Sequence, residues 1–171
     1  TDKNMIEILS SIDSDIHTET ASRIFNVSLA SVTKDMRRKA KEVNFGLIYG
    51  MESFGLSKSL DITKNEAQEL IDAYFSQFPK IKGFLDTIVS DAEKNGFTKT
   101  LYGRKRIIKE LGSSNFQLKA MGKRIAMNAP IQGTAADIMK IAMLKVESKI
   151  SDLKSTDLLL QIHDEIIVQT P

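Results

Sequence analysis

The sequence predicts a mainly helical α+β protein, and three observations carry that prediction. Glycine and proline are scarce, at 9 and 3 of 171 residues, so few residues interrupt helical periodicity. Helix-capping signals recur along most of the chain. Two short segments replace the helical pattern with apolar or β-branched runs around a turn, which predicts two hairpins. Helices with a small, separate antiparallel portion make an α+β arrangement.

The first third of the chain predicts three helices. Two short ones cover residues 4–11 and 16–25. A longer one begins after Thr33, because a threonine side chain can accept a hydrogen bond from the first turn. It runs to Tyr49, where Gly50 supplies a stop.

Two further helices are predicted in the middle of the chain. Thr63-Lys-Asn-Glu66 is a capping box, in which the threonine and glutamate side chains each bond the other residue's backbone N–H. It opens a helix to about Gln77. Pro79 suits the first turn of the next helix, which ends near Gly96.

The last third combines both kinds of element. Residues 97–108 alternate threonine and apolar residues and predict a β-hairpin. Helix returns over 115–150 and is interrupted or kinked near Pro130, since a proline ring opposes the carbonyl four residues earlier. A strand over 158–162, a tight turn and a strand over 166–170 close the chain.

Composition and charge exclude several classes of protein. The chain is 42% hydrophobic and 27% charged, as in ordinary globular proteins. Cysteine is absent, which excludes a thiolate zinc site, a catalytic cysteine and a disulfide framework. No apolar run approaches the roughly 20 residues that span a bilayer, so we expect no membrane partner. Because the sequence starts at Thr1 and stops at Pro171 after an apolar run, we expect a fragment of a longer protein.

Three basic clusters stand out on a chain whose net charge is only +2. They lie at Lys34–Lys41, at Lys99–Lys109 and at Lys119–Arg124. Clustered cations on a near-neutral chain indicate local anion sites. The alternative is that they are the solvated faces of helices.

A stripe of four residues recurs at intervals of four, and its members are Arg37, Lys41, Phe45 and Tyr49. Four residues turn a helix by about 400°, so these side chains share one slowly drifting face. Two cations followed by two rings could hold a polyphosphate at one end and a base or sugar at the other. The alternative is an amphipathic helix in which Phe45 and Tyr49 pack inward. Val43, Leu47 and Ile48 offer a separate apolar face for the core.

The turn of the last hairpin carries His163, Asp164 and Glu165. A carboxylate held by a short hairpin is a good ligand for Mg²⁺, which takes one or two protein carboxylates plus substrate phosphates. A two-metal site needs a second carboxylate. The alternative is that polar residues with aspartate are what tight turns contain.

Two further sets of residues are candidates for polar recognition. Arg124, Asn128 and Gln132 also step by four, and their side chains could reach acceptors in a DNA minor groove. Alternatively, Asn128 and Gln132 satisfy backbone groups that Pro130 frees. His17 follows Asp15, a candidate N-cap, and by itself indicates a histidine on a helix surface.

Four segments of the sequence resemble motifs of the DNA polymerase I family, the A family. RRKAKEVNFGLIYGMESFGL at 37–56 is similar to its fingers-helix motif, and LLLQIHDEIIV at 158–168 is similar to its metal-binding palm motif. DIHTETASRIF at 15–25 and RIAMNAPIQGTAADIMK at 124–140 agree in order and rough spacing. The resemblance covers nearly the whole chain.

The resemblance implies a right-hand polymerase fold that is incomplete, with helical fingers and a small antiparallel part of the palm. Residues 31–109 would form the fingers, and residues 1–30 and 110–171 would form part of the palm and the base of the fingers. It implies in-line attack of a primer 3′-hydroxyl on a dNTP, with Mg²⁺ as cofactor. The partners would be primer–template DNA, the dNTP and the rest of the same polymerase chain. A bacterial cytoplasmic location follows from the same resemblance, with an organellar origin left open.

The resemblance also implies roles for matching residues. Arg37, Lys41 and His17 would bind the phosphates of the nucleotide, with Lys41 a general acid toward pyrophosphate. Phe45 would face the sugar and base, and Tyr49 the templating pair. The remaining roles are metal binding by Asp164 with support from Glu165, and contacts to DNA by Arg124, Asn128, Gln132, His163, Arg104 and Lys105. In the segment 102–106 the family usually has consecutive arginines, where this chain has Lys105.

The family's other metal-binding aspartate would lie just before Thr1, so we expect this piece to polymerise little or not at all. Two alternatives stay open. The first is a non-catalytic nucleic-acid binding module, favoured by the basic clusters and the missing carboxylate. The second is a metal-dependent hydrolase using His163, Asp164 and Glu165, which needs more ligands than the sequence contains.

Overall fold

The computed structural model of the chain describes residues 2–11 and 14–171. These residues form seven α-helices and four short strands, which confirms the predicted α+β class. The bounds are α1 Lys3–Ser10, α2 Ile16–Phe25, α3 Lys34–Ile48, α4 Ser53–Leu60, α5 Lys64–Gln77, α6 Pro79–Asn95, β1 Phe97–Lys99, β2 Lys105–Ile107, α7 Phe116–Ile150, β3 Asp157–Ile162 and β4 Glu165–Gln169. Single 3-10 turns lie at Leu29–Ser31 and Lys109–Gly112.

The described residues divide into two compact units. The first contains the described residues up to Thr98 together with Ile107–Asn128, and the second contains Lys99–Arg106 with Ala129–Pro171. Within the described part of the chain, none of the helices combines the length and the apolar character needed to cross a membrane.

Helix boundaries in the first unit follow the capping signals of the sequence. Asp15 accepts from the backbone N–H of Thr18 at 3.0 Å and begins α2. Thr33 begins α3 in the same way, and Thr63 with Glu66 forms the predicted capping box of α5. Gly96 ends α6 in the left-handed region, at φ 76°, where glycine has no steric penalty.

The core of the first unit lies between α1, α3, α4 and α5. Its buried members are Ile8, Val43, Leu47, Leu56, Leu60, Ala67, Ile71, Tyr74 and Phe78. α2 packs along α3, and α4 packs on α5. A smaller cluster joins α6 to the start of α7 through Ala92, Ile108, Leu111 and Ala126. This packing leaves one side of α3 in solvent.

One helix was not predicted from the sequence. α4 begins after Glu52, which makes no side-chain capping bond, and it contains a glycine at its third position. One helix-start signal is therefore missing and one residue is unfavourable in a helix, although Leu56 and Leu60 are buried in the core. Tertiary packing, rather than capping, stabilises this helix.

The second unit contains the tip of the first hairpin, part of α7 and the last hairpin. α7 continues through Pro130 without interruption. Thr134 donates its hydroxyl hydrogen to the Pro130 carbonyl at 2.5 Å and accepts from the Leu101 backbone N–H at 2.9 Å. Arg104 lies 2.6 Å from the Asp137 carboxylate, so the hairpin tip is held on the helix by polar contacts.

The last hairpin confirms the predicted strand, turn and strand. β3 and β4 pair antiparallel from Asp157 opposite Gln169 to Ile162 opposite Glu165. The register shifts between Leu158 and Leu160, so one strand bulges there. The turn is His163–Asp164, and His163 has φ 53°, an uncommon backbone conformation for a residue other than glycine.

Candidate functional site

The exposed face of α3 carries the stripe residues of the sequence. Phe45 is 45% exposed and Tyr49 is 39% exposed, and Arg37 and Lys41 are exposed as well. Val43 and Leu47, on the other side of the helix, are almost fully buried. The alternative in which the two rings pack into the core is therefore wrong.

Three rings form a continuous surface across α2 and α3. The ring centroids of His17 and Phe45 lie 5.5 Å apart, tilted by 52°. Those of Phe45 and Tyr49 lie 6.3 Å apart, tilted by 34°. These are ordinary separations for interacting aromatic side chains. His17 lies on α2, and it thus belongs to the same exposed face as the stripe residues of α3.

Arg37 is held by an acidic partner at the start of α2. Its Nε lies 2.7 Å from Asp15 Oδ2, and one terminal nitrogen lies 3.0 Å from Asp15 Oδ1. The hydrogen bonds from Arg37 and from Thr18 hold the pKa of the Asp15 carboxyl well below its usual range. Asp15 therefore caps α2 and binds α3 with the same carboxylate.

Lys41 is placed differently from the neighbouring cations of α3. Arg38 and Lys39 both form ion pairs with Asp35, at 2.8 and 3.1 Å. Lys41 has no hydrogen-bond or ion-pair partner among residues 2–11 and 14–171. Its ammonium is available to bind an anion at the ring surface.

His17 is half-buried, and its ring contacts the side chain of Asn44 on α3. Its Nδ1 lies 3.2 Å from the side-chain amide nitrogen of Asn44. Burial lowers the pKa of His17, and the charges of Arg37 and Lys41 lower it further, against the opposing effect of Asp15. The ring is therefore held toward its neutral form beside the two cations.

The joint that follows α3 is tightly packed. Gly50 has φ +73°, and a Cβ there would lie 2.9 Å from Arg124 Cγ and 2.9 Å from Met127 Sδ. Met51 fills the space beside Gly46 and Gly55, with 3.1 Å and 2.9 Å to the positions their Cβ atoms would take. A larger side chain at Gly50 would have to displace Arg124 or Met127, and at Gly46 or Gly55 it would have to displace the Met51 side chain.

The predicted minor-groove residues lie on α7. Arg124 packs against Gly50 and is exposed. Asn128 has a buried Oδ1 without a hydrogen-bond partner in the described part of the chain, and Gln132 is exposed. In the alternative, Asn128 and Gln132 satisfy backbone groups near Pro130. Neither side chain forms such a hydrogen bond within the described part of the chain, and Thr134 bonds the Pro130 carbonyl instead.

The turn of the last hairpin presents its polar residues to solvent. His163, Asp164 and Glu165 are all exposed. Neither carboxylate has an ion-pair or hydrogen-bond partner in the part of the chain that is described. No group of three histidine, aspartate or glutamate residues suited to a metal ion occurs among the described residues. The hairpin offers carboxylate oxygens but not a complete metal site.

Arg104, one of the predicted DNA-backbone contacts, has hydrogen-bond partners within the protein. Besides Asp137, it donates to the Gly133 carbonyl at 2.9 Å. The hydrogen bond from Thr100 and then that from Arg104 lower the pKa of Asp137. Lys105 lies exposed on β2. Arg104 thus fixes the hairpin tip, with half of its side chain still exposed.

Sequence reasoning missed two residues of this site. Asp15 was identified as an N-cap, but its pairing with Arg37 joins residues 22 positions apart. Asn44 is polar and only 4% exposed, and it lies on the face of α3 that carries Ala40, Val43 and Leu47. A polar residue among apolar residues at helical spacing was the available signal for Asn44.

Comparison with known proteins identifies the relatives of this chain. The sequence model of DNA polymerase family A matches residues 1–171. DNA polymerase I of Caldicellulosiruptor bescii is 49% identical over 159 residues, which cover 92% of this chain and 19% of that protein. DNA polymerase I of Bacillus subtilis is 45% identical over 171 residues, which cover 99% of this chain and 19% of that protein.

A solved structure is similar over nearly the same span. It is the POL domain of Pol1 from M. smegmatis in complex with DNA primer-template and dNTP, with a TM-score of 0.90 and 40% identity. The match covers 98% of this chain and 30% of that one. The chain therefore corresponds to a minor part of each relative.

Proposed function

The chain belongs to DNA polymerase family A, and from that premise we propose that the protein it comes from is a template-directed DNA polymerase. In this proposal it adds dNTPs to a primer 3′-hydroxyl. One observation supports the proposal most directly: two cations and three rings share the exposed face of α2 and α3. The similarity to the POL domain, which was solved with DNA primer-template and dNTP, is a second line of support.

The nucleotide would bind along the face of α3. Arg37 can bond two phosphate oxygens at once through its planar guanidinium, and Lys41 neutralises charge as a compact ammonium. His17 adds a neutral donor beside them. Lys41, without a competing carboxylate partner among the described residues, is also the proposed proton donor to the leaving pyrophosphate.

The rings would hold the other end of the nucleotide. Phe45 offers an exposed face to the sugar and base, and Tyr49 lies one helical turn further, beside the templating pair in this proposal. Base–aromatic stacking tolerates any base, which suits an enzyme that must accept four nucleotides. Selection would then come from closure of the site around a correct pair.

Mg²⁺ is the proposed cofactor, and the last hairpin fits one part of its site. Asp164 would be a ligand and Glu165 a supporting carboxylate, because both present free oxygens on an exposed turn. Bound Mg²⁺ would supply charge neutralisation for the attacking and leaving oxygens. The described residues do not complete a two-metal site, so the rest of the polymerase chain is a required partner in this proposal.

Primer–template DNA would contact the remaining candidate residues. Arg124, Asn128 and Gln132 would face the minor groove, where amide and guanidinium groups meet base acceptors. His163 would lie near the primer end, and Arg104 and Lys105 would contact the DNA backbone.

The fragment itself has a proposed layout and a proposed limit. Residues 31–109 would be the fingers, and residues 1–30 and 110–171 part of the palm and the base of the fingers. Because the described residues hold no set of three metal ligands, we propose that the 171-residue piece alone extends a primer little or not at all. The full-length protein would act on DNA in the bacterial cytoplasm.

Primer extension by the full-length protein tests the proposal. Asp164→Asn should lower the extension rate by about 100-fold or more, since metal binding contributes several kcal/mol to such reactions. Asp157→Asn, an exposed aspartate at the far end of the same hairpin, should extend at nearly the wild-type rate. Equal rates in the two variants would contradict the metal role of Asp164.

A non-catalytic DNA-binding module is the second candidate function. The basic cluster at Lys119–Arg124 favours it. Such a module binds DNA with a steep dependence on salt and without any response to nucleotide. If a templated dNTP fails to stabilise the complex of the full-length protein with primer–template, this second function replaces the first.

A further inference from the structure

A buried polar cluster lies beneath the ring surface, between α2 and α3. Asn44 is 4% exposed and Thr20 is fully buried. The Asn44 amide nitrogen lies 3.1 Å from Thr20 Oγ1 and 3.2 Å from His17 Nδ1. The Thr20 hydroxyl lies 3.3 Å from the Asn44 Oδ1. Both amide atoms of Asn44 thus lie within hydrogen-bond distance of the same buried hydroxyl, and the amide nitrogen is the atom that faces the His17 ring.

The amide nitrogen of asparagine is a donor only, so the ring atom that it faces must accept. In a neutral imidazole one nitrogen accepts and the other carries the proton. A hydrogen bond at one ring nitrogen therefore fixes the protonation of the other. His17 Nε2 has no hydrogen-bond partner in the described residues, and the ring lies against Phe45 on the exposed face.

We propose that Asn44 is a positioning residue that fixes the tautomer of His17, with the proton on Nε2. The ring then donates a hydrogen bond at the face that Arg37 and Lys41 share. Asn44 acts only through His17 and touches no nucleotide itself. The functional value of this arrangement rests on the proposed role of His17 as a phosphate contact.

A fixed tautomer has a clear consequence for anion binding. A phosphate oxygen only accepts hydrogen bonds, so it binds the Nε2–H form and is repelled by the lone pair of the other neutral form. A histidine that is free to exchange tautomers would lose binding free energy in selecting the right one. A fixed, neutral donor also avoids adding a third full charge beside Arg37 and Lys41, whose charges lower the pKa of His17 together with burial, against the effect of Asp15.

Nuclear magnetic resonance tests the proposal without any substitution. In the full-length protein with ¹³C-labelled histidine, the Cδ2 chemical shift distinguishes the two neutral tautomers. His17→Gln assigns the His17 signal by removing it. Above the midpoint of its titration, without DNA or nucleotide, His17 should show the Nε2–H form. A signal of the Nδ1–H form, or an average of both, would overturn the proposal.

Asn44→Asp tests the cause. The substitution keeps the shape of the side chain but turns the donor facing Nδ1 into a carboxylate that only accepts. His17 should then take a proton on Nδ1, and its titration midpoint should rise by about one pH unit or more, as expected beside an opposite charge. The tautomer is the readout that a merely structural role of Asn44 would not move, because a carboxylate at this position raises the midpoint in either case.

Asn26→Asp is the matched control. It makes the same change at the exposed C-cap of α2, where Asn26 has φ 51° and aspartate tolerates the same conformation. The tautomer and the titration of His17 should stay as in the wild type. A rise in Asn26→Asp equal to that in Asn44→Asp would overturn the proposal, and so would no rise in Asn44→Asp.

Kinetics separates this proposal from the proposed function. His17→Gln should raise the KM for dNTP several-fold with a smaller change in kcat, if His17 contacts phosphate. An unchanged KM would contradict the phosphate role alone, because the resonance experiment contains no nucleotide. An Nδ1–H signal with a raised KM would instead contradict the tautomer assignment alone.

Discussion

Arg37 and Asp15 form a two-point ion pair between α3 and α2, with Nε 2.7 Å and a terminal nitrogen 3.0 Å from the two carboxylate oxygens. The same carboxylate caps α2 through Thr18. The pair orients the guanidinium beside His17 and uses two of its five N–H donors, which leaves three that can bind an anion.

Asp15→Asn should reduce the acid sensitivity of the chain. Asparagine still caps α2, but the ion pair is lost, which costs little at neutral pH because both partners are well exposed. The pKa of Asp15 is lowered on folding, so the stability it contributes is present at neutral pH and is lost as the pH falls below the ordinary aspartate value of 3.8.

Denaturant unfolding at several pH values measures this effect. Between about pH 4 and pH 2, Asp15→Asn should lose less free energy of unfolding than the wild type. Arg37→Gln should behave similarly, and the double variant should add little to either, because both remove one interaction. Wild-type acid sensitivity in Asp15→Asn would argue against the pair.

Lys41→Ala and Arg37→Ala should affect polymerisation differently. Loss of a general acid lowers kcat, by about 100-fold or more, whereas loss of a phosphate contact mainly raises the KM for dNTP. Steady-state primer extension by the full-length protein separates the two constants. Lys39→Ala is the control, since Lys39 lies on the opposite side of α3 and pairs with Asp35. Small, equal effects in both test variants would contradict the assigned roles.

Gly50→Ala should destabilise the joint after α3. Its φ of +73° costs an L residue about 1–2 kcal/mol, and the added Cβ would also meet Arg124 and Met127. Gly96→Ala is the matched comparison, because Gly96 has φ +76° with no atom within 4 Å. Thermal unfolding should show a larger loss for Gly50→Ala, and equal losses would mean that the close packing has no energetic effect.

Gly83→Ala and Gly122→Ala should shift stability in opposite directions. Gly83 lies within α6 and has no atom within 4 Å of an added Cβ, so alanine should stabilise that helix by about 0.5–1 kcal/mol. At Gly122 the added Cβ would lie 2.9 Å from the Leu111 backbone nitrogen, so α7 would be pushed from that backbone. Denaturant unfolding of the two variants measures the sign, and stabilisation by both would refute the close approach at Gly122.

The parts of the fold that the sequence predicts are those with local signals. Asp15, Thr33 and Thr63 each cap a helix through a side chain three residues from its bonded amide, so a short window contains the whole interaction. α4 has no such cap, and burial of Leu56 and Leu60 decides its conformation, which depends on distant segments.

The candidate site likewise has features that the local sequence predicts and features that depend on tertiary packing. The four stripe residues are visible because helical spacing alone brings them to one face. The contacts of His17 with Phe45 and Asn44, and of Asp15 with Arg37, depend on how α2 packs on α3, which no local pattern specifies. The interactions that orient the site are therefore tertiary, whereas its candidate residues are local.

The most direct test of the proposal that a nucleotide binds the exposed face of α3 measures the affinity for a templated dNTP. The full-length protein, bound to primer–template, is used. Phe45→Ala should weaken that affinity about tenfold or more, because base–aromatic stacking contributes about 1–3 kcal/mol. Phe84→Ala removes a similarly exposed ring from α6, 52% exposed against 45%, and should change the affinity less than about twofold. Equal affinities for the two variants would contradict nucleotide binding at α3.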